Sequence, residues 1–143
     1  MAESEALKLL RSTIENYLSE SFSNYLRDQK NNYILQAGSA RVIVMPEDWL
    51  NGQTLVRVFS VINVDAPITP ELTKYLACEN LKVLFGKFSL EPTRPAIFFE
   101  HVLLGDFLNR KELEVAVGAV GVIADKYDNE IKDKFGGKMI GEF

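Results

Sequence analysis

The sequence predicts one α+β domain over residues 1–143: a helix, a three-strand antiparallel meander, a helix, a two-strand hairpin and a last helix. Three observations carry that prediction. Apolar residues recur every three or four positions in three separated segments, as on one face of a helix. Between those segments lie runs rich in Val, Ile and aromatics, bounded by Gly, Pro and Asn, as strands are. The links between consecutive strands are short, which permits only antiparallel neighbours.

The elements follow in order. Leu7, Leu10, Ile14, Tyr17 and Leu18 form the first amphipathic stripe, with Ser4 or the acidic pair Glu3 and Glu5 serving the free amides at its start. The helix is expected to end between Ser19 and Leu26, and Tyr25 and Leu26 either finish it or begin an extra strand. Tyr33 to Ala37, Arg41 to Trp49 and Thr54 to Val64 are the meander, punctuated by Gly38-Ser39 and Asn51-Gly52. Asn-Gly favours a tight hairpin because both residues accept positive φ. Asp65-Ala66-Pro67 ends the third strand. Thr69-Pro70-Glu71 opens the second helix with a cap, a proline suited to the first turn and a carboxylate at the positive end of the dipole. That helix is expected to run to about Phe85, where Gly86 stops it, with Cys78 buried as a small apolar group. Lys87 to Glu91 and Ala96 to Leu104 flank the turn Pro92-Thr93-Arg94-Pro95. Asn109, with Glu112 three residues on, starts the last helix. Its stripe is Leu113, Val117, Val120, Ala124, Tyr127, Ile131 and Phe135, and Gly136-Gly137 ends it. Gly118 and Gly121 lie inside that helix at a cost of about 1 kcal/mol each relative to Ala, which close backbone approach to a neighbour would offset.

Composition narrows the function. The chain has 143 residues, 47% of them hydrophobic and 25% charged, which suits one globular domain with a core that needs no staples. A net charge of −4 argues against a general nucleic-acid binder. The one Lys-rich stretch, Lys126 to Lys138, is interleaved with Asp125, Asp128, Glu130 and Asp133 and reads as a solvated helix face. Met1 to Leu10 lacks an apolar run, and the longest apolar stretches fall well short of the roughly 20 residues that span a bilayer. With Cys78 as the only cysteine, a cytoplasmic protein without membrane partners is expected.

Catalytic patterns are missing. His101 is the only histidine and sits in a strand pattern, and one His without Cys companions does not make a zinc site. An apolar helical setting would raise the Cys78 pKa rather than activate it. Asp106 is better placed to stabilise its own loop than to bind metal. Gly136-Gly137-Lys138 follows a helix, whereas a phosphate loop precedes one. No nucleophile elbow occurs. The expectation is therefore a non-enzyme without a cofactor or metal.

Several stretches together carry a resemblance: Asp65-Ala66-Pro67-Ile68-Thr69-Pro70-Glu71-Leu72, then Tyr75-Leu76 and Glu79-Asn80, Phe85-Gly86-Lys87-Phe88, His101-Val102-Leu103-Leu104-Gly105-Asp106, Ala124-Asp125-Lys126-Tyr127 and Phe135-Gly136-Gly137. In this order they resemble the YbjN-like and type III secretion chaperone-like domains of bacteria, from about Asn32 to Lys138. The resemblance implies the same helix–sheet fold, frequent homodimers and binding of segments of other proteins, with no catalytic residues.

The residues add support of their own. From Thr54 to Val64 one face presents Val56, Val58 and Ile62 and the other Leu55, Phe59 and Val61. From Ala96 to Leu104 one face holds Phe98 and Val102 and the other Ile97, Phe99 and Leu103. A sheet with one wet face would alternate more cleanly, so either helices cover both faces or a partner covers one. Trp49 and Leu50 beside the Asn51-Gly52 turn, with Phe59 and Phe99 on the sheet, are the interface candidates. The leading expectation is a chaperone-like, homodimeric protein- or peptide-binding module. A small-ligand-sensing regulatory domain, with a pocket between sheet and helices, is the alternative, and an enzyme using carboxylates alone is the weakest reading.

Overall fold

The computed structural model describes residues 3–140. Its elements are α1 (Glu5–Ser21), β1 (Leu26–Arg27), β2 (Tyr33–Ala37), β3 (Ala40–Asp48), β4 (Thr54–Val64), α2 (Pro70–Asn80), β5 (Lys87–Glu91), β6 (Ala96–Leu104) and α3 (Arg110–Phe135). The α+β single-domain architecture is the expected one. The strands form one antiparallel sheet in the order β1-β2-β3-β4-β6-β5, so the meander and the hairpin join edge to edge through β4 and β6.

The helix starts behave as the sequence implies. Ser4 Oγ, Thr69 Oγ1 and Asn109 Oδ1 each accept a bond from the amide three residues on, at 3.0, 3.2 and 2.8 Å. Tyr25 and Leu26 do not extend α1. Leu26 and Arg27 pair with Ile34 and Tyr33 as a sixth, two-residue strand. The Asn51-Gly52 link is wider than a two-residue hairpin. Both residues take positive φ, 56° and 73°, but inside a five-residue loop that Trp49 closes by donating its amide to the Gln53 carbonyl at 2.7 Å.

α2 is shorter than expected, ending at Asn80. There the Asn80 side chain turns to the next strand, accepting from the Phe88 amide at 2.6 Å and donating to the Phe88 carbonyl at 3.3 Å. Leu81 and Leu84, which would have prolonged the stripe, are instead 90% and 92% exposed. Cys78 is also exposed, against expectation. It lies two residues past buried Leu76, on the far side of the helix.

All three helices pack on the same face of the sheet. Leu7, Leu10, Ile14 and Leu18 of α1, Leu72 and Leu76 of α2, and the α3 stripe from Leu113 to Ile131 join Val42, Val44, Val56, Val58, Ile97 and Phe99 in one core. Gly121 comes so near β2 that a Cβ there would sit 2.8 Å from that of Ala37, as the close-approach reading requires. Gly118 has open space around it and no such reason. Asp128 is an exception to the solvated face. It is buried, and Ser39 Oγ in the β2–β3 turn donates to Asp128 at 2.5 Å and lies 2.8 Å from Asp125, tying that turn to α3. Past α3 the chain returns to the sheet: Val64 and Lys138 exchange amide bonds of 2.9 and 2.8 Å, and Asn63 donates to the Gly136 carbonyl.

Two measurements test this packing. At Gly137 the backbone has φ 80° and a Cβ would lie 2.2 Å from Asn63 Oδ1 and 2.7 Å from the Val64 carbonyl. Gly137→Ala should therefore cost about 1–3 kcal/mol in chemical denaturation. Gly118→Ala, in helix and free of contact, should instead gain roughly 0.5–1 kcal/mol. The second concerns Glu79, which is buried beside α3. Its carboxylate meets Lys82 Nζ and the Tyr127 hydroxyl, each at 2.8 Å. These partners, Lys82 foremost, hold its pKa below the ordinary 4.5, while burial and the same bond push the Tyr127 hydroxyl up to about 12. A carboxyl depressed on folding stabilises above its unfolded pKa, and that contribution is lost as pH falls through the folded value. Glu79→Gln should thus lower the melting temperature at pH 7, with the gap to the parent closing below pH 4.5.

Candidate protein-binding surface

The second face of the sheet carries no helix. Its side chains follow from strand alternation and register: Ile34 and Ile43 from β2 and β3, Met45 and Glu47 further along β3, Arg57, Phe59 and Val61 on β4, and Phe98, Glu100 and Val102 on β6. The apolar members are half-buried by one another rather than by a covering layer, and Val102 and Leu104 are 43% and 52% exposed. Phe59 and Phe98 meet edge to face with ring centres 6.4 Å apart.

A row of charges crosses this face perpendicular to the strands. Arg57 Nε lies 3.1 Å from both carboxylate oxygens of Glu47, an Arg57 terminal nitrogen lies 3.8 Å from Glu100, and Lys87 Nζ lies 3.6 Å from Glu100. The ladder therefore runs Glu47–Arg57–Glu100–Lys87 over β3, β4, β6 and β5. Glu47, Arg57 and Glu100 of this ladder, together with Met45, Phe59 and Phe98, line an open depression of about 460 Å³. The surface thus combines aromatic contact area with alternating charge, which suits recognition of polypeptide more than the enclosure of a small molecule.

Of the interface candidates, Phe59 is on this face. Trp49 and Leu50 are exposed in the β3–β4 loop, at the end of the sheet where Gly105 bonds Thr54 and where Leu104 and Phe107 are also exposed. Phe99 is the one in error. It is fully buried on the opposite, helix-covered face, stacked edge-on against Phe88 at 4.9 Å. Period-two alternation separates residues 98 and 99, but an apolar residue on both faces leaves the sequence without a sign for which face is inside. Leu104 and Phe107 were missed for the related reason that exposure of a Leu or Phe has no signature in a single chain.

His101 points to the core side of β6, with its ring 6.0 Å from that of Phe85, and burial lowers its pKa. Asp106 does hold its loop, accepting from the Thr54 amide at 3.0 Å and the Thr54 hydroxyl at 2.7 Å. Among the described residues no group of three or more His, Cys, Asp or Glu is arranged to hold a metal ion, and no helix is long and apolar enough to cross a membrane.

Comparison with known proteins agrees with this architecture. No curated protein matches the chain. The crystal structure of YbjN from E. coli superposes with a TM-score of 0.60 over 84% of this chain and 92% of that one, at 10% sequence identity, a likeness of fold. Residues 6–142 match the family model described as T3SS (YopN, CesT) and YbjN peptide-binding chaperone 1. With nearly its whole length matched, the chain belongs to this TY-Chap1 family of peptide-binding chaperones.

Proposed function

We propose that this chain is a non-enzymatic, chaperone-like module that holds segments of other proteins and works as a homodimer. The observation that carries this reading is the helix-free sheet face, apolar at Met45, Phe59, Val61 and Phe98 and crossed by the Glu47–Arg57–Glu100–Lys87 ladder. An antiparallel sheet facing only water would present polar side chains there. Half-buried aromatic and Met side chains on an uncovered face adapt to varied apolar segments, whereas an interleaved set of charges discourages indiscriminate aggregation. Family membership supports the same function.

Phe59 is half-buried at the middle of the face, so an aspartate there would disrupt docking without opening the core. Light scattering after size exclusion should give a dimer mass for the parent at micromolar concentration; a monomeric parent removes the dimer from the proposal. Fluorescence anisotropy with a labelled, chemically unfolded reporter protein should show binding by the parent and at least about tenfold weaker binding by Phe59→Asp, the scale of a central interface residue. Equal affinity of the two proteins would count against this face as the binding surface.

A further inference from the structure

The β1 side of the sheet holds a hollow that shares no residue with the depression beside the charge ladder. α1 ends at Phe22, whose backbone is extended at φ −132° and whose amide still reaches the Leu18 carbonyl at 2.9 Å. Phe22 packs against the core, and Ser23 to Tyr25 then lead to β1. β1 pairs only with Tyr33 and Ile34, so it leaves β2 from Leu35 to Ala37 without a strand on that side. Ser23 and Asn24 line hollows on both faces of β2. One of about 260 Å³ reaches Gly118 and Gly121 of α3, and one of about 610 Å³ opens on the helix-free face. The link therefore stands off from β2 instead of pairing with it.

The larger hollow is apolar at Tyr25, Leu26 and Ile34, of which Leu26 and Ile34 are register partners. Its polar side comes from Gln36 and Arg41, partners across β2 and β3. The Gln36 amide nitrogen is already taken, donating to the Gly38 carbonyl at 2.8 Å. Arg41 is not. Arg11, Arg27, Arg57 and Arg110 each meet a glutamate. Among the described residues Arg41 and Arg94 meet no carboxylate; Arg94 sits in the β5–β6 turn, whereas Arg41 lines the hollow. An uncompensated guanidinium beside apolar surface is placed to receive an anion. The side chains of Ser23 and Asn24, exposed and without a hydrogen-bond partner among the described residues, add donors from the link.

We propose that this hollow binds a small organic monocarboxylate, with Arg41 receiving the carboxylate and Tyr25, Leu26 and Ile34 covering an apolar body. Its volume lies within the roughly 300–1,000 Å³ of small-ligand sites. The planar fork of an arginine meets a carboxylate through two parallel N–H···O bonds, and Ser23 and Asn24 supply further donors. One unpaired guanidinium compensates one negative charge, which favours a carboxylate over a phosphate dianion. The apolar side favours an aromatic or branched acid over a small polar one such as acetate. Because Glu47, Arg57, Phe59 and Phe98 lie outside this hollow, the site goes beyond the polypeptide-binding reading and does not depend on it.

The experiment titrates the isotope-labelled full chain with 4-phenylbutyrate and follows its backbone amides by NMR. Shifts should gather at Ser23 to Leu26, Ile34, Gln36 and Arg41 and saturate below about 10 mM, the range open to a ligand of this size. The neutral amide of the same acid should bind at least about tenfold more weakly, the scale of one charge-assisted bond. Arg41→Gln, at an exposed residue without an ion pair, should weaken the acid equally and keep the melting temperature. Arg94→Gln should leave the affinity unchanged. Absence of shifts at these residues overturns the site. Equal binding of acid and amide, or equal weakening by Arg94→Gln, overturns the role of Arg41. Tighter binding of 3-phenylpropyl phosphate overturns the carboxylate in favour of a phosphate. The comparison of acid with amide on the parent protein decides the matter even if Arg41→Gln fails to fold.

Discussion

The packing of α3 across β3, β4 and β6 is the interaction on which the rest of this domain depends. One 26-residue helix supplies Leu113, Val117, Val120, Ala124, Tyr127 and Ile131 to the core, more than either other helix. Its placement is fixed at several points by bonds that do not belong to the helix itself. Ser39 of a hairpin turn meets Asp125 and Asp128, Gly121 admits β2, and Asn63 and Val64 grip the chain just beyond its end. α1 and α2 fill the flanks of α3, α2 through Tyr127 and the Tyr75–Phe135 ring pair. Because all of this happens on one side, the other side of the sheet is left with apolar side chains and no layer to cover them.

Charge manages that exposed side without contributing much stability. Ion pairs in which one or both partners stay largely solvated are worth little. Arg57 and Lys87 are of this kind, with side chains 38% and 64% exposed. Their value lies in position. A row of alternating sign breaks up what would otherwise be a continuous apolar sheet face. Under the proposed binding function, affinity would come from Phe59 and Phe98 and discrimination from the ladder, different residues on the same strands.

The fold was legible because it rests on local rules. Caps at Ser4, Thr69 and Asn109, positive φ at Asn51 and Gly52, and the period of the α3 stripe are each set within a few residues of chain. Failures arose where a distant contact outweighed a local pattern. The Leu81–Leu84 continuation of α2 loses to the bond between Asn80 and Phe88, and Cys78 faces out because Leu72, Leu76 and Glu79 fix the buried side. The two-residue strand β1 exists only because Ile34 is there to pair with. For the binding surface, alternation divided Phe98 from Phe99 correctly, yet which of them lies under a helix is decided by where three helices dock. That information is spread over the whole chain and appears in no window of it.

The order of the strands has a consequence for synthesis. β4 lies at the centre of the finished sheet, but its neighbours come from opposite directions along the chain: β3 precedes it and β6 follows only after α2 and β5. On a nascent chain β4 is thus an edge strand, with Val56, Val58 and Phe59 beside unpaired amides, until the ribosome has delivered both β6 and the helix that covers it. Non-local pairing of this kind is slow to form and open to wrong partners. A member of a peptide-binding chaperone family thus passes, on its own way to the native state, through a stage in which it presents an unpaired strand itself.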